Sequence, residues 1–193
     1  MQPIEIETRY LDKIQELMGQ MIQQGKDMRP LMRRVAGDMH DAVEENFEHQ
    51  GREPGWQSLS TAYARYKAKK KKSGKSRILE FSGRLRSSIT EYSDATSAVV
   101  GTNLRYAAIH QFGGTIDINS HSRRLTLKKY KRGRLKGKTR FVKDKKYVGQ
   151  RYNLNLTIQA YKVQMPARPF LKLTEIDIQN TILRRFKDYW IKN

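Results

Sequence analysis

The chain has 193 residues, 39 Lys plus Arg against 19 Asp plus Glu, and a formal net charge of +20. It has no cysteine, which excludes a disulfide scaffold, cysteine-ligated zinc and thiol catalysis. Its hydrophobic residues (37%) suffice for one packed domain, and no apolar run approaches the ~20 residues of a membrane span, so a soluble protein of a cytoplasm-like compartment is expected.

Tyr10–Gln24 spaces Leu11, Ile14, Leu17, Met18, Met21 and Ile22 as a helix does. Gly25 ends that run, and Asp27 is placed to cap a second helix with Pro30 in its first turn. Leu31, Met32, Val35, Met39, Ala42, Val43 and Phe47 then follow a helical period, opposite an acidic face of Asp38, Asp41, Glu44, Glu45 and Glu48. These Met-rich stripes suit either a core or a neighbouring subunit. Gln50–Trp56 is a turn, with Trp56 and Leu59 as anchors beside it. Ser60 can cap a short helix carrying Tyr63 and Tyr66, which runs into the lysine-rich stretch Lys67–Lys75.

Ile78–Ile89 starts apolar, turns at Ser82–Gly83 and resumes helical spacing with Leu85 and Ile89. Thr90–Tyr92 and Ala98–Gly101 predict an antiparallel strand pair. Tyr106–Phe112 predicts a short helix closed by Gly113–Gly114, after which Thr115–Ile118 alternates like a strand. From there to Gln164 basic and apolar residues alternate. Leu125, Leu127 and Tyr130, then Phe141, Val142, Tyr147 and Val148, then Leu154, Leu156, Ile158, Tyr161 and Val163 predict two or three strands around a basic tip, Arg132–Arg140. The reading is an extended β-hairpin or arm whose ends, Ile116–Ile118 and Ile158–Val163, are placed to pair. Beyond Pro166 and Pro169, Thr174–Trp190 predicts a final helix. The expected fold is α+β: N-terminal helices and a C-terminal helix packed on a small antiparallel sheet, with a long basic β-hairpin or arm inserted. Residues 1–193 form one domain in this reading, made of an acidic helical part (1–56), the arm (115–165) and the C-terminal helix (166–193).

The charge is unevenly placed. Residues 1–56 carry seven basic and eleven acidic side chains, whereas 57–165 carry twenty-six and five. His121–Arg151 alone holds fourteen Lys or Arg and one acid, Asp144. So localised a field marks an interaction element more than a solubility device. Catalytic chemistry has no comparable signature. Of the four histidines, His40 and His49 lie nine apart on the acidic helix, which is not metal-pair spacing, and His110 reads as a packed residue. No phosphate-binding glycine loop, nucleophile elbow or zinc helix is present. No enzyme activity, catalytic residue, cofactor, metal site or small-molecule substrate is expected, and no membrane partner.

Four strings in order, Gly55–Tyr63 (GWQSLSTAY), Leu79–Ile89 (LEFSGRLRSSI), Tyr106–Gly114 (YAAIHQFGG) and Met165–Leu171 (MPARPFL), give the chain a resemblance over most of residues 30–190. It resembles the phage virion morphogenesis family, the Mu-type G proteins related to P2-type tail completion proteins. That resemblance implies a structural virion protein of a tailed phage or prophage. It would complete or terminate the tail at the head–tail joint, or neck, as a ring around the DNA channel, commonly a hexamer. Implied partners are other copies of itself, neighbouring neck and tail-tube proteins, and duplex DNA held without sequence preference. The implied location is the virion, assembled in the bacterial host cytoplasm. The motif positions are Trp56, Leu59, Tyr63, Ser82, Gly83, Leu85, Tyr106, His110, Phe112, Gly113, Gly114, Arg168, Pro169 and Phe170.

Among these, Trp56, Tyr63, Tyr106, Phe112 and Phe170 read as core or subunit-contact aromatics. Arg168, held extended before Pro169, reads either as a partner for a neighbour's carboxylate or as cover for a sheet edge. The basic arm comprises Arg123, Arg124, Lys128, Lys129, Lys131, Arg132, Arg134, Lys136, Lys138, Arg140, Lys143, Lys145, Lys146 and Arg151. DNA phosphates and acidic surfaces of partner rings both suit it, and both stay open. The reading from a different class is a free cytoplasmic protein that binds nucleic acid irrespective of sequence.

Overall fold

The computed structural model describes residues 8–52, 54–70, 77–130, 134, 137–141 and 151–192. It has an α+β fold and divides into two units, Met1–Gly114 with Pro166–Asn193, and Thr115–Met165.

In the first unit, α1 (Thr8–Gln23) and α2 (Arg29–Glu48) follow the predicted apolar stripes. The cap differs from expectation. Met28 occupies the cap position without a side-chain bond, and Pro30 lies in the first turn. Asp27, one residue earlier, accepts the Arg29 backbone N–H at 3.0 Å and its guanidinium at 2.9 Å. The α2 stripe serves two cores. Leu31, Met32 and Val35 pack with Met21, Met28, Ile182 and Phe186, while Val43 and Phe47 pack with Trp56, Ile78, Leu85, Ile89, Ala107 and Phe170. Met21, Met28 and Met32 are therefore core residues; Ile22 stays exposed.

Next comes α3 (Thr61–Lys70), where the Ser60 hydroxyl accepts the Tyr63 N–H at 3.4 Å. Lys67 is buried, its ammonium donating to the Arg77 carbonyl. Lys71, Lys72 and Lys75 of the lysine-rich stretch lie outside the described residues. The segment expected to resume a helix after Gly83 makes only a 3₁₀ turn, Arg86–Ser88. Ile89 already starts β1 (Ile89–Ser93), which pairs antiparallel with β2 (Ala98–Thr102). The spacing of Leu85 and Ile89 reports burial in one core, which a turn satisfies as well as a helix does. The short α4 (Ala107–Phe112) ends at Gly113, whose φ of 70° favours a residue without Cβ.

The final helix is wound in two ways. Thr174 and Asp177 form a reciprocal cap: the Thr174 N–H donates to the Asp177 carboxylate at 2.6 Å, and the Asp177 N–H donates to the Thr174 hydroxyl at 3.3 Å. Asp177–Leu183 is then π-wound, and α5 (Arg184–Lys192) continues as an ordinary helix. Ile178, Ile182, Leu183 and Phe186 are its buried residues.

In the second unit, β3 (Gly114–Ile118) pairs with β7 (Tyr161–Met165), joining the two ends of the arm. The Thr115 hydroxyl donates to Gln164 Oε1 at 2.8 Å across that pair. Beyond it, β4 (His121–Lys129) is the centre of a three-stranded sheet between β5 (Thr139–Phe141) and β6 (Arg151–Ile158), antiparallel to both. The described strands therefore make three small sheets: the predicted strand pair, the paired ends of the arm, and the arm's own three strands. Val142, Tyr147 and Val148, counted among the strand residues, lie outside the described residues.

Two glycines make a paired test of this geometry. Gly51 has φ +88°, and a Cβ there would lie 2.6 Å from Trp56 Cδ1 and 2.7 Å from the Trp56 backbone nitrogen. Gly83 has φ +78° with nothing in the way. Gly51→Ala is expected to cost about 2–4 kcal/mol, strain plus overpacking, and Gly83→Ala about 1–2 kcal/mol from the backbone alone. Urea unfolding followed by tryptophan fluorescence measures both; equal losses would refute the clash.

Candidate interaction site

The four resembling segments, distant in sequence, converge around Phe47. Its ring meets Trp56 edge-on at 5.7 Å and Phe170 at 5.6 Å. The Trp56 indole N–H donates to the Pro169 carbonyl at 3.1 Å, and Leu59 packs against the same core. Gln111 Oε1 accepts the Phe170 and Leu171 N–H groups, both at 3.0 Å. From the other side, Asn46 Nδ2 donates to the Phe170 and Lys172 carbonyls, each at 2.8 Å. The irregular segment 168–172 is thus fastened to α2, to α4 and to the turn after α2. Ser82 makes a local contact, its hydroxyl accepting the Arg84 N–H at 3.4 Å.

Arg168 is anchored on backbone carbonyls of its own chain. It is 5% exposed, and its guanidinium donates to the carbonyls of Gln57 at 3.1 Å and Ser58 at 3.5 Å. Its own N–H donates to the His110 carbonyl at 2.7 Å. It therefore pins the loop after Trp56, and burial pulls its pKa below the ordinary arginine value. His110 is half-buried, edge-on to Tyr106 at 6.1 Å. Burial first, then the neighbouring Arg168 charge, lowers its pKa, so it stays a neutral packed histidine at pH 7.

The motif aromatics divide in two. Trp56 and Phe170 are core, whereas Tyr63, Tyr106 and Phe112 are exposed, Phe112 by 62%. Tyr63 continues into a surface ladder, stacking on Tyr66 at 6.2 Å, which stacks on Phe81 at 6.4 Å. Near Phe112 runs a groove of about 380 Å³ lined by Leu104, Ala107, Ala108, Phe170 and Leu171.

The acidic face of α2 is less free than its sequence suggests. Arg86 Nε donates to Glu44 at 2.6 Å, with its other nitrogens on Glu80 at 3.0 Å and Glu48 at 3.2 Å. Arg185 meets Asp38 at 2.9 Å, and Arg52 meets Glu45 at 3.0 Å. The Glu44 hydrogen bond is the largest influence on Arg86, and with Glu80 and Glu48 it outweighs burial to raise the guanidinium pKa. Sequence reasoning missed Asn46, Arg52, Arg86 and Gln111. Asn46 left one signal: it shares the helical stripe of Ala42, Val43 and Phe47, where a polar residue needs a buried partner.

In the arm, Arg123, Arg124, Lys129, Arg134 and Lys138 are exposed, and Lys128 is partly buried with its ammonium 5.1 Å from the Tyr130 ring centroid. Arg140 and Arg151 are placed by strand register. Lys131, Arg132, Lys136, Lys143, Lys145 and Lys146 lie outside the described residues. Antiparallel pairing sorts the sheet by chemistry. Leu125 stands opposite Leu154, Leu127 opposite both Tyr152 and Phe141, and Arg123 opposite Leu156. Residues directly opposite share a face, so one face is mainly apolar, and Phe141, Tyr152, Leu154 and Leu156 on it are exposed. Among the described residues no group of three or more His, Asp or Glu is placed to hold a metal ion.

A model of the phage virion morphogenesis family matches residues 10–187. The chain is 34% identical over 187 residues to Mu-like prophage FluMu G protein 2 of Haemophilus influenzae, covering 97% of this chain and 96% of that protein. No solved structure matches.

Proposed function

The chain belongs to the phage virion morphogenesis family, and from that premise we propose that it completes or terminates the tail at the head–tail joint. A structural role in phage morphogenesis is what family membership establishes; the position in the neck is the further step. In this reading copies of the chain form a ring around the DNA channel and join tail to head without catalysis. The observation that carries it is the match over nearly the whole chain, including all four motif segments. Tyr63, Tyr106 and Phe112, exposed although aromatic, supply contacts to neighbouring copies or to adjoining neck and tail-tube proteins. The apolar face of the arm serves the same purpose, since a sheet with a bare apolar face needs a second layer.

Electron microscopy of an induced lysogen lacking the gene tests this. Full heads and separate, unjoined tails are expected, with joining restored by the chain supplied in trans. An in-frame deletion of Arg123–Arg151 should also leave tails unjoined, while circular dichroism shows the first unit still folded. Normal particles from the null strain would refute the proposal. The localised positive charge favours a second reading, a free nucleic-acid-binding protein; it predicts the chain in the soluble lysate and absent from purified particles.

A further inference from the structure

Helix α3 buries very little against its own chain. Its one buried side chain is Lys67, whose ammonium reaches the Arg77 carbonyl. Ten residues are too few for a helix to persist alone in water, and helices in proteins draw most of their stability from a packed apolar face. On α3 that face is uncovered. Tyr63 and Tyr66, three apart and so neighbours on the helix, are 43% and 50% exposed, and Phe81 is 44% exposed. Stacking at 6.2 and 6.4 Å orders the three rings as one patch. Exposed aromatic patches mark contact surfaces, because such rings are the anchors of protein interfaces.

The charge around the patch has one sign. α3 carries Arg65, Lys67, Lys69 and Lys70 and no acid. Lys69 and Lys70 follow Tyr66 by three and four residues, on its side of the helix, and Lys70 Nζ lies 5.9 Å from the Tyr66 ring centroid. Lys69, Lys70 and the exposed Arg84 have no acidic partner among the described residues.

The complement lies on α2 in the same unit. Asp38–Glu48 holds five acids and no Lys or Arg. Asp41, Glu45 and Glu48 stand at i, i+4 and i+7 on one helical face, and all three are exposed. Their neutralisation is incomplete. Arg86 is shared by Glu44, Glu80 and Glu48, and Arg52 by Glu45 and Asp177. Asp41 has no ion pair among the described residues. One chain thus carries both an aromatic patch rimmed by cations and an acidic helix face, the two halves of a contact between copies. We propose that the Tyr63–Tyr66–Phe81 patch of one copy docks on the Asp41–Glu45–Glu48 face of α2 in a second copy. Lys69, Lys70 and the tyrosine hydroxyls then donate to its carboxylates. This rests on the reading of the chain as a ring-forming particle component, and names the surfaces through which copies meet. Nucleic acid fits the patch less well: Tyr66 stacks with both other rings, so it is no open platform for an unpaired base.

Sedimentation equilibrium of the purified full chain tests this. Self-association is expected, weakening as salt rises. Lys69→Glu with Lys70→Glu should weaken it about tenfold or more, and so should Asp41→Lys with Glu45→Lys, both variants staying folded by circular dichroism. Mixing the two variants should restore association, because each supplies the charge that the other has lost. Tyr66→Ser should weaken association, whereas Tyr92→Ser, at a 67% exposed ring of β1, should leave it unchanged. A wild type that stays monomeric at about 0.3 mM overturns the proposal, as does the absence of rescue on mixing. Normal association of the Lys69→Glu, Lys70→Glu chain together with lost binding to duplex DNA also overturns it, and assigns the patch to nucleic acid. Failure here leaves the particle role standing, because that is judged by joined particles and by the chain's presence in them.

Discussion

Phe170→Ala is expected to lower stability by about 3–5 kcal/mol. Phe170 is fully buried, and its ring fills the space beside Phe47, in the core that also holds Trp56. The cost depends on whether the site can collapse, and here it cannot do so easily. The backbone of segment 168–172 is held by Gln111 on one side and Asn46 on the other, with the Pro169 carbonyl on Trp56. A cavity left by the missing ring therefore stays open, which places the loss in the upper half of that range. Phe112→Ala is the control. It removes the same ring from a surface position and should change stability by no more than about 0.5 kcal/mol. Urea unfolding of both variants decides; a Phe170→Ala loss under 1.5 kcal/mol on the same scale as above would mean that the two clamps do not hold the segment.

Local periodicity carried much of the fold. The stripes of α1 and α2, the β1–β2 pair, the short helix before Gly113 and the strand character of the arm all follow from residues that are near neighbours in sequence. What depended on distant partners did not show. The apolar stripe of α2 is continuous, so nothing local indicates that its first half packs on Met21 and Phe186 and its second on Trp56 and Phe170. The π-wound turn at Asp177–Leu183 places apolar residues inward at intervals that an α-helix also allows. Tyr106–Phe112 is too short to define a face, so the exposure of Phe112 beside buried Gln111 was hidden. Arg168 sits in extended backbone before proline, where no pattern indicates which carbonyls its guanidinium will reach.

The arm shows the same division more sharply. Alternation along each strand marks Leu125 with Leu127, and Leu154 with Leu156, as sharing faces. The relation between strands is another matter, because a slip of one residue would place the leucines of β6 among the arginines of β4. Register, with Leu125 against Leu154 and Lys128 against Arg151, converts a basic segment into a sheet with two chemically distinct sides. The sequence left DNA and protein as alternative partners for one arm, and pairing separates the leucines of that arm from Arg124 and Lys128.

Arg52→Met is expected to cost about 3 kcal/mol at pH 7, the range for removing one partner of a largely buried ion pair. Arg52 spans most of the interior polar network of the first unit. Its Nη1 and Nη2 each donate to an Asp177 oxygen at 2.8 Å, its Nε donates to Asn46 Oδ1 at 2.9 Å, and Nη2 also reaches the Ala42 carbonyl at 3.1 Å. Both side chains of the pair are mostly buried, at 17% and 15% exposed. Burial alone would push the Asp177 carboxyl up, but the Arg52 hydrogen bonds, the Thr174 N–H and hydroxyl, and the Arg52 charge outweigh it and hold the carboxyl below its ordinary value of 3.8. A depressed folded-state pKa contributes stability above the unfolded value, and that contribution disappears as pH falls through the folded one. Without Arg52 only the Thr174 N–H and hydroxyl oppose burial, so the Asp177 carboxyl titrates higher than in the wild type and the variant loses less stability in acid. The gap between wild type and variant should therefore be full at pH 7 and narrow steadily below about pH 4. Arg52→Lys should recover only part of the loss, because an ammonium cannot engage both carboxylate oxygens and Asn46 in one plane. Urea unfolding at pH 7, 4 and 3 reads out the wild type and both variants. A gap that stays constant across that range would assign the cost to lost packing of the Arg52 stem and remove the ion pair from the account.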